Sequence, residues 1–98
     1  MTPNTNYVRG RNTEYKAKKE LEAEGYYCSR SSGSHSAIDL WCVSPLNVKV
    51  IQLKRTKSKY FTYKKDIEQL QKLKVPSNCS KELWIWLDRK GWIKKVIV

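Results

Sequence analysis

Four polar side chains fall where the pattern of the sequence calls for apolar ones. In AIDLWCV (Ala37–Val43), alternation puts Asp39 on the side of Ala37, Trp41 and Val43. In VKVIQLK (Val48–Lys54), Gln52 and Lys54 share a side with Val48 and Val50. Upstream, Gly10, Glu14, Ala17 and Leu21 recur at the spacing of one helical face, and Ala17 and Leu21 make that face the inward one. An ionised carboxylate among apolar neighbours is costly unless paired, hydrogen-bonded or bound to a cation, and a lysine in such a row needs an anion.

If the two strands close as a hairpin over Ser44–Asn47, Asp39 comes near Gln52 and Lys54. A helix that packs Ala17 and Leu21 on the sheet carries Glu14 toward the same place. Two carboxylates, an amide oxygen and an ammonium then converge, a set of hard oxygen donors suited to Mg²⁺ or Mn²⁺. Such an ion acidifies water and neutralises charge building on a phosphoryl oxygen. The lysine can stabilise an attacking hydroxide. A buried salt bridge of Asp39 or Glu14 with Lys54 explains the same residues without chemistry, and spacing alone leaves both readings open.

The elements that must position these residues follow from periodicity and breakers. A helix is predicted over Asn6–Glu24, rich in Glu, Lys and Ala and ended by Gly25. Strands are predicted over Tyr26–Arg30, Ala37–Val43 and Val48–Lys54, with the small-residue loop SSGSHS at 31–36. Thr62 is a plausible N-cap for a helix reaching Lys74, with Ile67, Leu70 and Leu73 inward and Val75-Pro76 as its stop. LWIWLD (Leu83–Asp88) and WIKKVIV (Trp92–Val98) form a closing hairpin. The first of these is apolar on both sides, so its tryptophans pack on a helix or on a second subunit. The order α-β-β-β-α-β-β predicts an α/β (α+β) fold with one mixed central sheet flanked by helices.

The chain has 98 residues, which predicts one domain spanning 1–98. No apolar run approaches the roughly 18 residues of a membrane span, and MTPNTNYVRGR lacks the apolar stretch of a secretory signal. An intracellular, cytoplasmic protein is expected, with no membrane partner and no small-molecule cofactor. Cys28, Cys42 and Cys79 with a lone His35 lack zinc-site spacing and read as reduced thiols. The net charge of +11 points to a polyanion, nucleic acid first. Residues 49–74 carry nine Lys and Arg against only Asp66 and Glu68. There Arg55, Lys57 and Lys59 interleave with Tyr60, Phe61 and Tyr63, combining phosphate contacts with stacking surfaces.

Several short motifs in order add a resemblance. Arg9-Gly10 to Glu14, Gly25-Tyr26, Arg30–Ser34, Ile38-Asp39 and Ile51–Lys54 resemble the PD-(D/E)xK nuclease superfamily, and within it the archaeal-type Holliday junction resolvases. The resemblance covers roughly residues 9–74 and implies a restriction-endonuclease-like fold. It implies Asp39 as a metal ligand beside the backbone carbonyl of Leu53, and Lys54 as the catalytic lysine. Glu14 matches the first-helix glutamate near the site. Ser32 and Ser34 match a loop beside the scissile phosphate, flanked by Arg30, and Arg9 and Arg11 lie where basic residues meet the DNA backbone. It further implies a homodimer that cuts opposing strands of a four-way junction. This chain departs from the pattern in having Ile38 for the proline and Gln52 for the second acid. An amide oxygen can still ligate Mg²⁺ but carries no charge, which implies weaker metal binding. Two other readings stay open: the same type of nuclease acting on flap, nicked or duplex DNA, and a catalytically silent nucleic-acid-binding module of the same fold. A minimal, virus- or plasmid-borne version of the family would be this short.

Overall fold

A strand that is apolar on both sides must be covered on both sides, and LWIWL receives one helix on each face. The computed structural model describes residues 5–31, 37–58 and 60–98, with side chains from Asn12 onward. Its elements are α1 (Thr5–Ala23), β1 (Tyr27–Arg30), β2 (Leu40–Val43), β3 (Val48–Thr56), α2 (Lys64–Lys72), β4 (Cys79–Leu87) and β5 (Gly91–Ile97). The strands form one sheet in the order β1-β2-β3-β4-β5. Every neighbouring pair is antiparallel except β3 and β4, which run parallel from Val48↔Cys79 to Thr56↔Leu87. A parallel pair needs a crossover rather than a hairpin, and α2 supplies it. The fold is therefore α+β with a mixed sheet between two helices, in the element order the sequence predicts.

Alternation along the strands divides the core in two. Under α1, Ala17 and Leu21 pack with Cys28, Leu40, Cys42, Ile51 and Trp84. Under α2, Leu70 packs with Leu83 and Ile85, edged by Phe61, Tyr63, Ile67, Val96 and Val98. The tryptophans of the closing hairpin thus face α1 of their own chain. Trp92 meets Trp84 and Trp86 edge-on, at centroid distances of 5.3 and 5.0 Å. Lys16 of α1 lies 4.1 Å over Trp86, and Lys95 lies 4.1 Å over Trp84 while pairing with Glu20 of α1. A register shift between Ile85 and Trp86 keeps Trp86 opposite Trp92.

Element ends differ from expectation for local reasons. Gly25 adopts φ +99°, and the Tyr26 N–H closes α1 on the Leu21 carbonyl, so β1 starts one residue later than predicted. Thr62 does not cap α2. Tyr63 occupies the cap position without a side-chain bond, and the Thr62 carbonyl accepts Lys54 Nζ at 2.7 Å. At the other end Leu73 is already extended, and its carbonyl accepts Lys81 Nζ at 3.0 Å. β3 and β4 are longer than predicted because their parallel ladder runs through polar residues. The three cysteines are free thiols, and no helix among the described residues is long and apolar enough to cross a membrane.

Leu21 is fully buried between α1 and the sheet. Leu21→Ala is expected to lower unfolding free energy by about 2–5 kcal/mol. Leu46→Ala, at the exposed β2–β3 turn, is expected to change it by less than about 0.5 kcal/mol. Urea unfolding followed by tryptophan fluorescence measures both.

Candidate functional site

β2 and β3 part company at Asp39. Its N–H donates to the Ile51 carbonyl at 2.8 Å, while its own carbonyl accepts the Ser31 N–H of the opposite neighbour at 3.0 Å. One residue thus bonds to both flanking segments, and the regular ladder of β2 begins only at Leu40. The Asp39 carboxylate turns back and accepts the Leu53 N–H at 2.7 Å. Alternate residues of a strand point both backbone groups to one edge, so the Leu53 carbonyl lies on this same edge of β3.

A cleft of about 90 Å³ opens here, lined by Thr13, Glu14, Asp39, Leu53 and Arg55. Burial pushes the Asp39 carboxyl above its ordinary value; the Leu53 amide opposes that shift and the nearby Glu14 charge adds to it. Glu14 reaches the cleft from the inward face of α1 and is ion-paired with Arg30 of β1. Arg55 donates to Asp88 at 2.6 Å and to Thr13 Oγ1 at 3.4 Å. Arg30 and Arg55, two of the residues expected at a nucleic-acid backbone, are therefore each paired with a carboxylate, Glu14 and Asp88.

Gln52 and Lys54 leave β3 on its other face, toward α2. Lys54 Nζ donates to Asp66 Oδ2 at 2.9 Å as well as to the Thr62 carbonyl. Gln52 Nε2 lies 3.4 Å from Asp66 Oδ1 and 3.5 Å from Gln69 Oε1. Gln52 Oε1 is buried and accepts no hydrogen bond among the described residues. The expected convergence of Glu14, Asp39, Gln52 and Lys54 is thus divided by the strand. Glu14 and Asp39 share the cleft; Gln52 and Lys54 meet at α2; Leu53 lies between them with its backbone at the open edge. The salt bridge that spacing left open takes another form, because the anion on Lys54 is Asp66.

Asp66 was invisible as a site residue in the linear sequence, although a signal existed. It precedes Leu70 by four residues, which places it on the inward face of α2. Of the remaining expected contacts, Lys57 is exposed beyond β3, in a stretch continued by exposed Lys64, Lys65, Lys72 and Lys74. Arg9 and Arg11 lie on α1, with side chains outside the described residues. Ser32, Ser34 and Lys59 also lie outside the described residues. No group of three or more His, Cys, Asp or Glu among the described residues is placed to hold a metal ion, so any cation here must also use amide or backbone oxygen.

No protein-family model matches the chain, and no curated protein matches it in sequence. Among solved structures, the chain is similar to Hjc of Archaeoglobus fulgidus, a Holliday junction resolvase from an archaeal hyperthermophile. The TM-score is 0.64 at 21% sequence identity, over 83% of this chain and 70% of that one. At that identity the likeness is one of fold: the five-stranded mixed sheet with a helix on either side is the architecture of that resolvase.

Proposed function

We propose that the chain is a divalent-metal-dependent endodeoxyribonuclease of the PD-(D/E)xK type, with branched DNA, and four-way junctions first, as its substrate. The observation that carries this reading is the position of Asp39 on a resolvase-like fold: a partly buried carboxylate, destabilised as an anion, at the edge where two strands diverge. The donors present fit Mg²⁺ or Mn²⁺, because Gln52 offers a buried amide oxygen with no hydrogen-bond partner among the described residues. Asp39, Gln52 and the Leu53 carbonyl would hold the ion, with Glu14 in the outer shell. When bound, the ion would act as a Lewis acid toward a phosphodiester and supply hydroxide near neutral pH.

The chain's own groups have distinct tasks in this reading. Lys54 places a positive charge where negative charge grows on the reacting phosphate. Glu14, held in place by Arg30, presents a carboxylate on the α1 side of the cleft. The exposed lysines beyond β3 neutralise phosphates and make binding salt-dependent. Cutting both strands of a junction symmetrically needs two such sites on a two-fold axis, hence a homodimer.

Labelled four-way junction, flap and plain duplex incubated with the protein in Mg²⁺ or Mn²⁺ test the activity. The junction is expected to be cut. Asp39→Asn is expected to slow cutting by more than about a hundredfold, since even outer-shell partners of a metal cost about 10–100-fold. A junction that survives excess protein would sink the reading, and tight binding without cutting would favour a silent binding module.

The raised Asp39 pKa has a stability consequence of fixed sign. The folded state holds the Asp39 proton more tightly than the unfolded one, so this group lowers stability as pH rises through the interval between the two values. In EDTA at pH 7, Asp39→Asn is therefore expected to melt higher than the parent, with the gap closing as pH falls below the ordinary aspartate range. Added Mn²⁺ is expected to raise the parent's Tm and leave that of Asp39→Asn unchanged. Melting curves across pH, with and without Mn²⁺, check both statements.

A further inference from the structure

Position 52 carries an amide where the PD-(D/E)xK pattern has an acid, yet the α2 side of β3 is not short of negative charge. Asp66 projects from the first turn of α2 onto both members of the segment. One oxygen accepts Lys54 Nζ at 2.9 Å, and the other lies 3.4 Å from Gln52 Nε2. Gln69 Oε1 is the second oxygen near that nitrogen, at 3.5 Å. The amide orientation follows: rotated by half a turn, it would set its oxygen against two oxygens, one of them charged. Two acceptors hold the nitrogen, so the buried Gln52 oxygen is left over.

We propose that Asp66 is the positioning acid of this site: from α2 it holds the Lys54 ammonium and the Gln52 amide nitrogen, turns the Gln52 oxygen into a ligand for a divalent cation, and replaces the charge that position 52 lacks. This rests on the metal-dependent reading above. The arrangement moves a carboxylate from strand to helix while keeping it on the same two side chains. A carboxylate at position 52 and one at position 66 would then be alternatives, since two together would repel at this distance.

The experiment compares the parent, Asp39→Asn, Asp66→Asn and the double variant Gln52→Glu/Asp66→Asn. Mn²⁺ binding without DNA is measured by calorimetry, folding by melting in EDTA, and junction cleavage in Mn²⁺. Asp66→Asn is expected to weaken Mn²⁺ binding and cleavage by about tenfold or more. The double variant is expected to return both to within about threefold of the parent, a rescue that a merely structural role for Asp66 does not produce. Asp66→Asn that binds Mn²⁺ and cuts like the parent, while Asp39→Asn loses both, overturns the role of Asp66 and leaves the nuclease reading standing. A parent that neither binds Mn²⁺ nor cuts overturns both. Should Asp66→Asn fail to fold, the double variant decides alone: it must fold and bind Mn²⁺, and failure to bind overturns the proposal.

Discussion

The alternation of β3 constrains everything around it. Ile51, Leu53 and Arg55 point to α1, and Val50, Gln52 and Lys54 point to α2, because side chains of a strand leave on opposite faces. The strand is pinned between β2 and β4, so neither set can be turned toward the other without moving the whole register. A site using residues from both faces can form only where the strand's edge is uncovered. Asp39 creates that edge by delaying the start of β2 to Leu40 and by taking the Leu53 amide on its own carboxylate. A single hydrogen bond from a backbone N–H to a side-chain carboxylate thus does two things. It satisfies a strand N–H that has lost its neighbour, and it fixes a carboxylate in the plane of the sheet.

The charges are arranged around that carboxylate with some economy. Glu14, Glu20, Glu22, Asp66, Glu82 and Asp88 each have a lysine or arginine partner. Glu82 is nearly buried and is served further by Ser80 and the Trp84 indole. Asp39 is different. Among the described residues it has an amide donor and no ion-pair partner, so its charge is not cancelled locally. In a chain of net charge +11, an uncancelled, half-buried carboxylate marks a place where a further cation gains most. The surface lysines have a looser assignment. Most pairs they make are exposed enough to contribute little to stability, which leaves them available to a polyanion.

Much of the fold is legible in the sequence because its cues are local. The Ala17/Leu21 face, Gly25 at the end of α1 and the Val75-Pro76 stop each act within a turn or two of themselves. The extra length of β3 and β4 is not legible, because Arg55-Thr56 and Cys79–Glu82 are polar and lack an alternating pattern. Only their pairing with each other makes them strands. For the site, Glu14 and Asp39 stand out as charges on apolar faces. Their partners do not, since Arg30 pairs across 16 positions, Lys54 with Asp66 across 12 and Arg55 with Asp88 across 33. A cation assigned to solvent or to a ligand in one dimension is committed to an acid in three.

The clamp on α1 has a kinetic side. Lys95 of β5 reaches Glu20 of α1 across 75 positions, and β5 contributes Trp92 to the ring cluster that Lys16 covers. The helix that carries Glu14 into the cleft is therefore anchored by the strand that follows all other elements in the sequence. During synthesis the sheet margin bearing Asp39 and Leu53 can assemble first, but the α1 wall of the cleft gains its full anchorage only after β5 has emerged and paired. Long-range closures of this kind fold more slowly than local ones. The emerging chain would thus present its exposed lysines before it holds a finished cleft, and the last wall to settle would be the one that carries Glu14.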